Sequence, residues 1–117
     1  MGTFSDPLRL DFIDQEGRYA TLVLPLTYAV NSAEDYTVPA GYRTDGATVP
    51  RFFWRICPPW TGNYRKAVVL HDWLCDTKEI PYQRVHEIFA ESMEALEVPI
   101  FQRTLMAIAV RRWGPKW

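Results

Sequence analysis

The first third of the chain reads as strands. Residues 8–13 run L-R-L-D-F-I, an alternation of apolar and polar positions, and Asp14-Gln15-Glu16-Gly17 supplies turn chemistry. A second strand over 19–24 then closes an antiparallel hairpin. Pro25 has no N–H for a ladder, so it ends that strand or marks an edge. A third short strand is expected over 26–30, followed by a loop over 31–35. Residues 36–38 are extended because Pro39 biases its predecessor away from helix. Ala40-Gly41 turns the chain, and 42–44 resumes as a strand leading into Asp45-Gly46.

The last part of the chain has helical spacing. A first helix is expected over about 63–76, capped by Asn63 or Thr61. Ala67, Leu70, His71, Leu74 and Cys75 share one of its faces, and Arg65, Asp72 and Asp76 another. A second helix is expected over about 81–97, with Pro81 in its first turn. Its apolar face is Val85, Ile88, Phe89, Ser92 and Leu96, with His86 on the rim, roughly 60° from Phe89 at 100° per residue. A third over 99–113 stops at Gly114-Pro115 and is apolar nearly all round, which predicts the most buried of the three. Strands first and helices after predict an α+β fold, with an N-terminal antiparallel hairpin or small sheet packed against three C-terminal helices.

Composition narrows the functional classes. At 117 residues, 48% of them hydrophobic, the chain suffices for one globular domain spanning 1–117. A net charge of -1 gives no bulk drive towards nucleic acid or anionic lipid, and no apolar run approaches the ~20 residues of a membrane span. The second helix is acidic (Glu87, Glu91, Glu94, Glu97) and the C-terminal segment basic (Arg103, Arg111, Arg112, Lys116), which reads as two complementary exposed faces. No basic region followed by an apolar run opens the sequence, so no secretory signal is expected, and Cys57 and Cys75 are expected as free thiols.

Between these halves lies V-P-A-G-Y-R-T-D-G-A-T-V-P-R, followed by L-H-D-W-L-C in the first helix and A-V-R-R-W-G near the end. These motifs, in this order over 38–114, resemble a family of small phage and prophage proteins described as a domain of unknown function. Its pattern is approximately VPAGFxTDxASVPR, then HDxLY, then VRxxG. The resemblance places the polar signature on Asp45, Thr48, Arg51, His71 and Asp72. It implies an α+β fold and a phage or prophage origin, hence residence in the host cytoplasm during infection or incorporation in a virion. It supplies no activity. Two positions depart from it: Cys75 stands at the family's Tyr, and His86 at a family Asp.

Asp45, His71 and His86 are the candidate constellation, because a carboxylate and two imidazoles commonly hold zinc or another divalent metal with positions left for water. Cys75, four residues after His71, can reach the same ion. Asp72 points about 100° from His71 and is expected to pair with Arg51 or Arg65, or to support the ligands. Thr48 or Glu87 would orient a substrate for hydrolysis, and Arg51 and Trp54 would bind it. The same residues have a purely structural reading. Asp45 can bond the backbone of its own loop, and His71 can stabilise the contact between loop and helix. A non-enzymatic virion or tail-assembly component is the alternative. It would contact other phage structural proteins through Trp54, Trp60, Trp113 and Trp117, aromatic side chains that one small core cannot all bury. An inhibitor of a host protein is a third class, with no residue to support it.

Overall fold

The computed structural model describes residues 2–4, 8, 10–12, 20–44, 65–113 and 116. Six strands precede three helices: β1 (Thr3–Phe4), β2 (Leu10–Phe12), β3 (Ala20–Leu22), β4 (Leu26–Ala29), β5 (Asp35–Val38), β6 (Arg43–Thr44), α1 (Arg65–Thr77), α2 (Tyr82–Ala95) and α3 (Ile100–Trp113). The protein is α+β, as its residue pattern predicts. Strand β1, only two residues long, is absent from the expected set because it carries no alternation to read.

The strands form two three-stranded antiparallel sheets, β1-β4-β5 and β2-β3-β6. Their registers show a common origin. Leu10 pairs with Leu22 and Thr3 with Ala29, so both chains advance by the same number of residues between the two sheets. The same holds from Ala20↔Thr44 to Leu26↔Val38. The two sheets are therefore the halves of one bent three-stranded meander, interrupted where Pro25 lies in the central strand and Pro39 to Tyr42 lie opposite. Pro25 breaks the ladder as expected, in the central strand rather than at an edge: it lies between β3 and β4, which belong to different sheets. Backbone bonds from Leu22 N to Tyr42 O (2.8 Å) and from Gly41 N to Leu22 O (2.7 Å) close the bend, where Gly41 has φ +90°.

Because the register does not slip, side-chain parity survives the bend. Ala20, Leu22, Leu26, Tyr28, Val38 and Thr44 all face inward and are buried. On the other face the partners Thr27 and Thr37 join hydroxyls across the strands at 3.0 Å.

Helix α1 lies at the centre. Its Val69, Leu70 and Leu74 pack with Leu22, Leu26 and Tyr28 of the sheet, and its Ala67 and Val68 pack with Phe89 and Met93 of α2 and Met106 and Val110 of α3. Serving two core clusters makes α1 the most buried helix. The expectation for α3 is corrected. Among the described side chains of α3, Met106, Ala109 and Val110 are buried, whereas Ile100, Phe101 and Ile108 are exposed. Among the described residues, α3 meets the Ala67–Val68 part of α1 and the Phe89–Met93 part of α2 through one stripe, which leaves the apolar side chains on its other faces exposed.

Helix boundaries follow local chemistry. Pro81 takes the N-cap position rather than the first turn, with φ -59° and ψ 145°, and its carbonyl accepts the first helical bond from Val85 N at 3.1 Å. Ser92, a polar residue in the apolar stripe of α2, satisfies its hydroxyl on Phe89 O at 2.9 Å. The expected caps of α1 and the Gly114-Pro115 stop lie outside the described residues. The sheet is tied to α2 by Tyr28, whose hydroxyl donates to Glu91 Oε1 at 3.0 Å, and by Arg84, which pairs with Glu34 at 2.7 Å.

Candidate functional site

Helices α1 and α2 pack along their apolar faces, and each carries one histidine at the shared seam. The helical phase that puts His71 beside Leu70 and Leu74 turns it towards α2. The phase that puts His86 beside Val85 and Phe89 turns it towards α1. The result is a direct contact, His71 Nε2 to His86 Nδ1 at 3.0 Å, with ring centroids 5.1 Å apart. Phe89 lies on another side of His71 at 4.7 Å, and Tyr82 lies against His86 at 5.7 Å between centroids. The pair is enclosed: His71 is 1% exposed and His86 8%.

Enclosure sets the charge state. Burial, and then the neighbouring His86, lower the His71 pKa to about 3, so the ring is neutral at physiological pH. A neutral imidazole offers one N–H and one lone pair, and a hydrogen bond between two such rings makes their tautomers interdependent. Cys75, one turn after His71, places Sγ 3.7 Å from its Nδ1 and 3.6 Å from its Nε2. Burial, followed by the carboxylates of Asp72 and Asp76, pushes this free thiol up to about 12. Cys75 is therefore a thiol rather than a thiolate, and the pair has neither charge of an activated Cys–His nucleophile.

Asp72 leaves α1 in a different direction, as its 100° offset from His71 dictates. Its Oδ2 accepts a hydrogen bond from Thr44 Oγ1 at 2.5 Å, and one turn on Asp76 Oδ2 accepts from Tyr42 OH at 2.5 Å. These bonds fasten the end of β6 to α1. Thr44 is fully buried and was not among the residues singled out from sequence. Its only prior signal is its place immediately before Asp45.

Of the expected site residues, the fold brings His71 and His86 together and sets Asp72 on the adjacent face of α1. Asp45, Thr48, Arg51 and Trp54 lie outside the described residues, as do Cys57, Trp60 and Trp117. Among the described residues, no three His, Cys, Asp or Glu side chains are placed to hold a metal ion. No described helix is long and apolar enough to cross a membrane.

Comparison with known proteins gives a family without an activity. The family described as "Protein of unknown function (DUF1353)" matches residues 20–110. Two curated proteins of Sinorhizobium fredii (strain NBRC 101917 / NGR234) are similar. "Uncharacterized protein y4jT" is 36% identical over 118 residues, covering 99% of this chain and 35% of that protein. "Uncharacterized protein y4iH" is 33% identical over 76 residues, covering 64% of this chain and 32% of that protein. The chain thus spans about a third of the length of the curated relatives it matches. No solved structure matches.

Proposed function

The chain belongs to the DUF1353 family of proteins of unknown function, and from that premise we propose that it holds a divalent-metal site with hydrolytic chemistry, in a protein of phage or prophage origin acting in the host cytoplasm. The observation that carries this reading is the His71–His86 contact. Two imidazole nitrogens bound to one zinc at about 2.0–2.1 Å and a tetrahedral angle lie about 3.3 Å apart. The nitrogens here are 3.0 Å apart, and His71 is held neutral, the state in which imidazole ligates.

Asp45 is the proposed third ligand, and Cys75 the reserve one from the same face of α1. His71, buried and neutral, serves as a ligand and not as a proton carrier to substrate. Asp72 is a positioning residue, because its bond to Thr44 holds the end of the strand from which Asp45 departs. A bound divalent ion would supply a water acidic enough to be a nucleophile near neutral pH. Thr48, Arg51 and Trp54 are the proposed substrate contacts.

Metal analysis of protein purified without chelator tests the reading. About one equivalent of zinc or another divalent ion per chain is expected, reduced in His86→Ala and in Asp45→Ala, with cobalt substitution giving visible ligand-field bands. Less than about a tenth of an equivalent of any such ion would end it.

A second reading, a non-enzymatic virion or tail-assembly component, is favoured by the exposed Ile100, Phe101 and Ile108. Mass spectrometry of purified particles separates the two, since absence from them removes the second.

A further inference from the structure

Helix α3 carries more apolar surface than its place in the fold uses. Ile100, Phe101 and Ile108 are 69%, 64% and 49% exposed. Phe101, Thr104, Ile108 and Arg111 recur at spacings of three and four, so they share one outward stripe. Beside this stripe a groove of about 460 Å³ runs between α2 and α3, with Ala90, Thr104 and Ala107 among its lining. Its walls have opposite charge, Glu91 and Glu94 from α2 against Arg103 and Arg111 from α3. Glu91 accepts from Tyr28, but Glu94, Arg103 and Arg111 form no ion pair among the described residues. Among the described residues the acidic and basic walls thus face one groove without a direct ion pair between Glu94 and Arg103 or Arg111.

An apolar strip with an acidic wall and a basic wall is complementary to its own image under a two-fold rotation. We propose that the occupant of this surface is a second copy of the chain, bound with the two α3 helices antiparallel. Crossing near Thr104 and Ala107, where side chains are small, lets the helices approach closely. Ile108 of each copy then meets Ile100 and Phe101 of the other. Each Arg111 comes to the C-terminal end of the other copy's α2, where Glu94 is exposed. Burial of the apolar side chains drives association, and charge fixes direction, since a parallel pairing would set Arg111 against Arg111. The inference rests on this surface alone and is independent of the histidine pair.

Sedimentation equilibrium of the whole chain over a range of concentrations is the test. The wild type should be a reversible dimer. Ile108→Asp, counted twice in a symmetric interface, should weaken it at least about a hundredfold while leaving the thermal melt of the monomer in place. Arg111→Glu should weaken it about tenfold, and the double variant Arg111→Glu/Glu94→Arg should restore it. A wild type that stays monomeric into the hundred-micromolar range would overturn the proposal and assign the groove to a different partner. A dimer indifferent to both Ile108→Asp and Arg111→Glu would overturn it too, by placing self-association elsewhere.

Discussion

Burying an imidazole against Phe89 and a second imidazole removes the water that would stabilise its cation, which is why the His71 pKa falls to about 3 from 6.5. Between those values the unfolded chain binds a proton at His71 that the folded chain does not. Stability is therefore full above about pH 6.5, falls as pH drops towards about 3 and levels off below it. The slope is about 1.4 kcal/mol per pH unit for this one group. Denaturant titrations of metal-stripped protein should show about 2 kcal/mol lost between about pH 7 and pH 5, and His71→Gln should lack that component. A slope unchanged by the substitution would mean that His71 is solvated. The places of His71 on the apolar face of α1 and of His86 on the rim of that of α2 were legible in the chain from helical phase, while their contact depended on how the two helices pack. The bond between Thr44 and Asp72 was not legible, because it joins residues 28 apart across a sheet and a helix. No local period encodes that relation.

At the scale of elements, two helices end on residues that are not glycine but adopt the left-handed conformation. Lys78 has φ 53° and donates to Leu74 O at 3.1 Å; Glu97 has φ 59° and donates to Glu94 O at 3.0 Å. Val98 N also reaches back to Met93 O at 3.1 Å, and the Val98 and Met93 side chains belong to the same core cluster, which completes a Schellman closure of α2. A side chain at such a position costs about 1 kcal/mol relative to glycine. Lys78→Gly and Glu97→Gly should each raise the unfolding free energy by up to about 1 kcal/mol, nearly additively because the two turns are separate. Denaturant midpoints at constant m-value check this, and a loss of stability would show that the lost side chain contributes more than the relieved strain. The start of α2 at Pro81 and its stop after Ala95 were near their expected places because proline and apolar spacing act locally. The cap at Glu97 was hidden, since its sequence offers no glycine to announce it.

At the scale of the whole molecule, the described residues form layers: the bent sheet, then α1, then α2 and α3. Its cohesion is graded accordingly. Helix α1 supplies side chains to both core clusters, while α3 buries only one stripe. Native-state hydrogen exchange should find the α1 amides opening only near the global unfolding free energy and the α3 amides at a distinctly lower one. In the proposed dimer, α3 protection should rise with protein concentration. Equal protection of α1 and α3 in dilute monomer would contradict the graded stack.

Periodicity, proline and glycine placement by themselves determined the element types, the α+β class and the inward faces of α1 and α2, because each depends on interactions within a few residues. The bend that keeps register through Pro25, the central place of α1, the exposure of α3 and the closing of Thr44 on Asp72 were decided only by the tertiary structure. Each of these depends on which surface is covered by which neighbour, and burial is a property of the assembled layers rather than of any one segment.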